Sequence, residues 1–298
     1  MSTSAGMPSR HAVRKVMAAT FLALIAGALP PEPAEAGAVD VGAGVYHSCA
    51  LKENGKVRCW GADPSPDLVP PKLFRSLSAG WWHDCGITEV GDAACWGSDT
   101  FDESAPPPGQ FRSVSAGGTF SCGVRPKGKV RCWGGDPEPD YGQTDPPPVA
   151  LRSLSAGYDY SCGIMVTRRL ICWGHNDYGQ ASPPGGEFRS VSAGNDVTCA
   201  VRANGNIRCW GEATAAAFPP DRKFRSVDTG TFHACGIKLN DRIRCWGDNN
   251  YGESSPPGGR FQAIAAGLDH SCGVRPKGKV RCWGRNSSGQ TDVPAGLS

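Results

Sequence analysis

Apolar and polar residues alternate along this chain only in short runs. Phe111-Arg-Ser-Val-Ser115, Cys122 to Arg125 and Lys129 to Trp133 are three successive examples. Their length and period suit half-buried strands. No stretch carries the period of a long amphipathic helix, and Gly and Pro interrupt the chain at intervals. The turn Pro126-Lys127-Gly128 ends in Gly, which suits the positive φ that closes a three-residue hairpin. It pairs Arg125 with Lys129. Counting back by alternation, Cys122 faces Cys132 in a non-hydrogen-bonded pair. There the Cα atoms approach most closely and a cross-strand disulfide fits.

The same unit recurs seven times. Cysteines fall in pairs ten apart: Cys49 with Cys59, Cys85 with Cys95, Cys122 with Cys132, Cys162 with Cys172, Cys199 with Cys209, Cys235 with Cys245 and Cys272 with Cys282. Trp and then Gly follow each second cysteine, at Trp60, Trp96, Trp133, Trp173, Trp210, Trp246 and Trp283. Another Gly lies five before each first cysteine, from Gly44 to Gly267. Each copy reads as strand, turn, strand, hairpin turn, strand, loop. The hairpin Gly recurs at Gly55, Gly91, Gly128, Gly205 and Gly278. Asp241 replaces it in copy six and tolerates that conformation. Arg168 replaces it in copy four, where a different turn is expected. Zinc sites space their ligands more closely than these pairs, so disulfides are expected throughout.

Seven such units stack linearly or close into a ring. Closure hides strand edges, and no polar capping repeat is visible. The expected fold is therefore all-β: a seven-bladed β-propeller with one cross-strand disulfide per blade. Cohesion between blades is expected from the repeated Trp and from Val, Ile and Leu opposite the Cys face. The segment Ala38 to Gly44 aligns with the first strand of later copies and is placed to complete the final blade.

Residues 1–36 differ in kind. Arg10, Arg14 and Lys15 precede the apolar run Val16 to Leu29, and Ala34-Glu35-Ala36 is a small-x-small site. This pattern predicts a secretory signal peptide. The alternative, a membrane anchor, needs about 20 apolar residues. Residues 37–298 are then one exported, monomeric propeller, extracellular or periplasmic. The formal net charge is only +3, so no clustered basic face and no nucleic acid are expected.

The run Ala265-Ala-Gly-Leu-Asp-His-Ser-Cys-Gly-Val, continuing through Cys282-Trp-Gly-Arg-Asn-Ser-Ser-Gly-Gln290, resembles the repeat of the regulator of chromosome condensation family. The resemblance spans residues 37–298. Short repeats ending in Gly-Gln-x-x-x-Pro are similar in style to the secreted bacterial β-lactamase-inhibitor propeller. The resemblance implies a seven-bladed propeller that binds proteins through loops on one face. The chain departs from the pattern in its cysteine pairs, in the missing Gly-Gln near Leu68 and Ala217-Phe218, and in the insert Asp136-Pro-Glu-Pro-Asp140. Nucleotide exchange on a nuclear GTPase sits poorly with an exported, disulfide-bonded chain.

Comparing copies separates frame from variation. Three variable residues follow each fixed Gly. They contribute the candidate face: Tyr46, His47, Trp81, Trp82, Phe120, Tyr158, Asp159, Tyr160, Asp196, Phe232, His233, Asp269 and His270. Aromatics in loops are typical binding hot spots; the competing reading is that they fill gaps between blades. The third position holds His47, His83, His233 or His270 and otherwise Phe, Tyr or Val, which suits packing. A metal or pH-sensing histidine cluster is the sharper alternative. The loops after Trp-Gly supply a second candidate surface, with Phe101, Tyr141, Tyr178 and Tyr251 at equivalent positions. No nucleophile-elbow, Walker or metalloprotease motif occurs, and no catalytic residue, metal or cofactor is expected. Asn286-Ser-Ser288 fits a glycosylation acceptor. The expected function is a non-enzymatic, inhibitor-like protein binder. A carbohydrate-binding or cell-surface propeller is the alternative. A hydrolase using acidic residues near the central channel carries low weight.

Overall fold

The computed structural model describes residues 36–62 and 68–298. The expected signal segment therefore lies outside the described residues, save its last position. The chain forms seven three-stranded antiparallel sheets. In each, an inner, a middle and an outer strand follow one another in chain order. Blade 3 is Ser113–Ala116, Phe120–Val124 and Val130–Gly134. The hairpin register is as counted: Cys122 pairs with Cys132 and Val124 with Val130.

All seven expected cystines form. Cys49 is bonded to Cys59, Cys85 to Cys95, Cys122 to Cys132 and Cys162 to Cys172. Cys199 is bonded to Cys209, Cys235 to Cys245 and Cys272 to Cys282. Their Cα atoms lie 4.0 to 4.1 Å apart, the close spacing of a non-hydrogen-bonded pair. The first cysteine of each pair sits fully buried on the middle strand. Its partner lies on the outer strand, where Cys95, Cys132, Cys172, Cys209 and Cys282 are only partly buried. Arg168 meets the same backbone demand as the glycines. It takes φ 65°, and its amide donates to Met165 as Gly128 does to Arg125. The copy-four turn does not differ as expected.

Neighbouring inner strands surround a central channel and cannot pair directly. Side chains bridge them instead. The hydroxyl of Ser78 accepts from the Ala116 amide at 3.0 Å, Ser115 from Ala156, Ser155 from Ala193 and Ser192 from Thr229. At one mouth the fixed glycines touch one another. A Cβ on any of them would collide with the carbonyl oxygen of the next blade's glycine, so only Gly permits this approach. Backbone bonds complete that girdle: Trp81 donates to Gly117 and Leu268 to Gly44.

The repeated Trp lies one residue past a cysteine and so points to the other face of its sheet. It packs on the cystine side of the preceding blade. Cys122, Val130, Leu151 and Trp173 share one cluster, and Cys85, Ile87, Phe111 and Trp133 another, with Cys132 and Cys95 packed against them. The aliphatic residues thus share the cystine's face, not the opposite one as expected, because Ile87 lies two residues from Cys85. Six of the seven indole N–H groups also find the loop of the preceding blade, while that of Trp96 is buried without a partner. Trp133 donates to the Glu103 carbonyl, Trp173 to Gln143, Trp283 to Glu253 and Trp60 to Gln290. The loop of copy five lacks Gly-Gln, yet Ala216 accepts from Trp246 in the same way.

The Trp60 to Gln290 bond joins blade 1 to blade 7. The N-terminal strand Ala38–Ala43 pairs with His47–Lys52 of its own copy and does not complete the final blade. Each copy already holds its own three strands. Closure is by packing, with Ala38, Val41 and Trp60 against Val274, Val280 and the buried Leu297.

Candidate functional site

The three variable residues of each copy have three separate destinations. The first borders the channel mouth: Val45, Trp81, Asn195, Thr231 and Leu268 line a cavity of about 270 Å³ there. The second is partly exposed, most of all at Phe232. The third turns inward between blades and is sealed. His47, His83, Phe120, Tyr160, His233 and His270 are all fully buried. Placing His47, Phe120, Tyr160, His233 and His270 on the binding face is therefore corrected. They join blades instead. His83 meets the Ser121 hydroxyl at 2.7 Å, His233 meets Ser271 at 2.7 Å and His270 meets Ser48 at 2.9 Å. Tyr160 accepts from Thr198 at 2.8 Å. Where the inward residue is Val197, the facing position is Ala234, and the two share an apolar cluster.

His47 faces Asp84 at 3.0 Å, with both fully buried. With Cys49 these side chains lie close enough to suggest metal ligands. Cys49 is tied to Cys59, so it offers no thiolate. Burial pushes His83 and His233 down to about 4 and His270 down to about 3.

The two candidate surfaces are one. The carbonyl of the second triplet residue accepts from the amide that follows Trp-Gly: Thr119 from Gly135, Asp159 from His175, Phe232 from Asp248 and Asp269 from Arg285. Triplets and Trp-Gly loops therefore occupy the same end of the ring. A buried Gln or Glu holds each of these loops. Gln143 accepts from the Tyr141 amide, Gln180 from Tyr178, Glu253 from Tyr251 and Glu103 from Phe101. The equivalence of Phe101 with the three tyrosines thus holds in the backbone.

The face is densest over blades 2 to 5. Copy three carries Gly118 at the first triplet position, and Tyr158 reaches over it to meet Trp81 with ring centroids 4.3 Å apart. Trp82 lies 5.7 Å from Tyr46. His175, which sequence comparison did not single out, sits 4.3 Å from the Tyr141 ring and 6.2 Å from Tyr178. It contacts Asp177 at 3.1 Å and Asp196 at 4.0 Å. Its signal was weak because all seven copies differ at that position. Burial, with Asp196 and Asp136 nearby, pushes the Asp159 carboxyl up to about 6 against the pull of His175. Burial and Glu212 raise Asp196 as well. On the far side, Phe232 is 42% exposed, and Arg285 is held by Asp269 at 3.1 Å and lies over Tyr251.

Acidic residues also enter the channel. Asp228 stands where other copies have Ser and accepts from the Ser192 hydroxyl at 3.0 Å and the Ala266 amide at 2.7 Å. Asp40 accepts from its neighbour Val41. Burial pushes both up to about 6.

No curated protein matches the chain. Among solved structures, it is similar to the ectodomain of the receptor kinase CR4 from Physcomitrella patens. There the identity is 27% over 82% of this chain and 72% of that one, with TM-score 0.71. It is similar to the CRINKLY WD40 ectodomain of the receptor kinase ACR4 from Arabidopsis thaliana, at 27% identity over 84% of this chain and 95% of that one, TM-score 0.70. Prp20p from Saccharomyces cerevisiae shares the fold at 15% identity over 85% and 83% of the two chains, TM-score 0.62. The model of the regulator of chromosome condensation (RCC1) repeat matches residues 38–64, 111–143, 151–180, 188–214, 224–253 and 261–290. It passes over the copy that carries Trp81, Trp82 and Asp84. Six matched segments on a seven-bladed ring place this chain in the regulator of chromosome condensation (RCC1) repeat family.

Proposed function

We propose that this chain is an exported, non-enzymatic binding propeller whose triplet end holds a protein segment bearing lysine or arginine. The observation that carries the reading is the joined Trp81–Tyr158 pair at the channel mouth beside Asp159 and Asp196. Aromatic faces and carboxylates both favour a cation, and more so where partly desolvated. Arg285 is already engaged by Asp269. The likeness to two receptor-kinase ectodomains and the seven cystines support an extracellular or periplasmic setting. A hydrolytic role for the channel is disfavoured because both Asp228 oxygens accept bonds from the frame.

The test is capture by the disulfide-intact chain and by its Trp81→Ala/Trp82→Ala variant. Basic and acidic peptide arrays and a glycan array serve as probes. Binding of basic peptides by the parent, lost by a variant that keeps its melting profile, is the expected outcome. Sugar binding without peptide binding supports the carbohydrate reading. Equal capture by both proteins overturns the assignment of this face.

A further inference from the structure

The opposite end of the ring has a different surface. There the seven middle–outer hairpins turn, and there the inner strands begin. Lys127, Lys129, Arg168, Arg169, Arg242 and Lys277 are all exposed on these hairpins. Among the described residues, Arg285 is the single Lys or Arg in the loops of the triplet end. The near-neutral net charge thus hides a bias: cations outnumber the carboxylates Glu53, Glu89, Asp92 and Asp241 on the hairpins, while the other end is rich in carboxylates and aromatics.

The hairpin end is also apolar at its tips. Val90 is 71% exposed, Val166 56% and Leu239 64%. Each occupies a turn of a different blade, the position of farthest reach. Val39 and Leu73 add exposed aliphatics where inner strands begin. Scattered exposed aliphatics are ordinary; these are gathered at one end, with Arg168 and Arg169 beside Val166, Lys238 and Arg242 beside Leu239, and Glu89 and Asp92 beside Val90. Among the described residues, no exposed aromatic lies in these turns.

We propose that the hairpin end docks flat on an anionic lipid membrane surface. The Lys and Arg side chains meet the headgroup charge, and Val90, Val166 and Leu239 enter the interface. Three features favour lipid over nucleic acid. Aliphatic tips gain from burial in an acyl boundary but nothing from phosphodiesters. The end is a ring of turns, not a groove. Among the described residues it also lacks the row of exposed aromatics on which bases stack, Phe218 beside the blade-5 hairpin being a single ring. Docked this way, the ring would present the triplet face to solution, away from the bilayer.

The test is co-sedimentation of the full chain, disulfides intact, with vesicles. One set is phosphatidylcholine alone; the other contains about a third phosphatidylglycerol. The parent is expected to sediment with the anionic vesicles and to be released by salt. Lys127→Glu/Arg169→Glu/Lys277→Glu is expected to lower that binding by at least about tenfold. Val90→Ser/Val166→Ser/Leu239→Ser is expected to weaken it while leaving the melting temperature unchanged. Both variants retain residues 1–36, so vesicle binding through that segment would persist in them and overturn the proposal. Retention on a DNA duplex without binding to anionic vesicles would overturn it equally.

Discussion

Asp228 shows how one residue serves the frame at a cost. Four other copies place Ser at this position, and Ser accepts the next blade's amide without charge. Asp228 accepts the same kind of bond from Ala266 but must lose water to do so. Its folded carboxyl titrates at about 6 against an ordinary 3.8. The folded chain therefore holds a proton between pH 3.8 and about 6 that the unfolded chain releases. That contribution to stability is full below the lower value and lost as pH rises through the upper one. Asp228→Ser keeps the acceptor and removes the charge. It should stabilise the fold by about 1–2 kcal/mol at neutral pH, with the gain shrinking toward pH 4. Urea midpoints of parent and variant at both pH values measure this. An unchanged difference between them would mean that the carboxyl is not held protonated. The third triplet position teaches a related point. The exchange of His for Phe, Tyr and Val was readable as packing, but the partner was not. The Ser, Thr, Asp or Ala that faces it belongs to the next copy.

At the scale of the blade, the cystine has two roles. It closes its own hairpin, and its sulfurs lie in the interface with the next blade's Trp. Loop entropy alone gives at most ~3 kcal/mol for so short a loop. Burial between sheets adds a packing contribution that the loop does not measure. Cys122→Ala/Cys132→Ala loses both and should cost about 3–5 kcal/mol. Cys122→Val/Cys132→Val refills the space and should recover about 1–2 kcal/mol of that loss. Calorimetric melting of the three proteins separates the two roles. Equal destabilisation by both variants would assign the whole effect to the hairpin. The hairpin and its register were legible from spacing, because alternation fixes which residues face each other. The interface side of the aliphatic residues was not, because it depends on how one sheet lies against the next. The union of the two candidate surfaces was also hidden. It rests on bonds such as Gly135 to Thr119, which join the start of one strand to the end of another.

At the scale of the molecule, two sets of buried groups oppose each other as pH changes. His83 and His233 titrate at about 4 and His270 at about 3, against an ordinary 6.5. Their contribution is present above 6.5 and lost as pH falls through those lower values, since the unfolded chain takes up protons that the folded chain refuses. Asp40, Asp159 and Asp228 act in the other direction, being pushed up to about 6. Between about pH 4 and 6 the two slopes offset, and a net charge read from composition reveals neither. Copy three already uses buried Phe120 at the position of these histidines, and the copy that follows it keeps a buried Ser161 at the position of Ser121 and Ser271. His83→Phe/His233→Phe therefore follows a packing the ring accepts. Ser121 and Ser271 keep their bonds to the carbonyls of Glu103 and Glu253. The double variant should lose about 1 kcal/mol per site at neutral pH, where a hydrogen bond is removed. At about pH 4.5 it should gain on the order of 2 kcal/mol per site relative to the parent, as proton uptake by the unfolded histidines no longer draws the ring open. Urea unfolding followed by Trp fluorescence at the two pH values reads this as a crossing of stability order. If the variant tracks the parent at both, the histidines are not held neutral between the blades, and the acid response of the ring must come from its carboxylates alone.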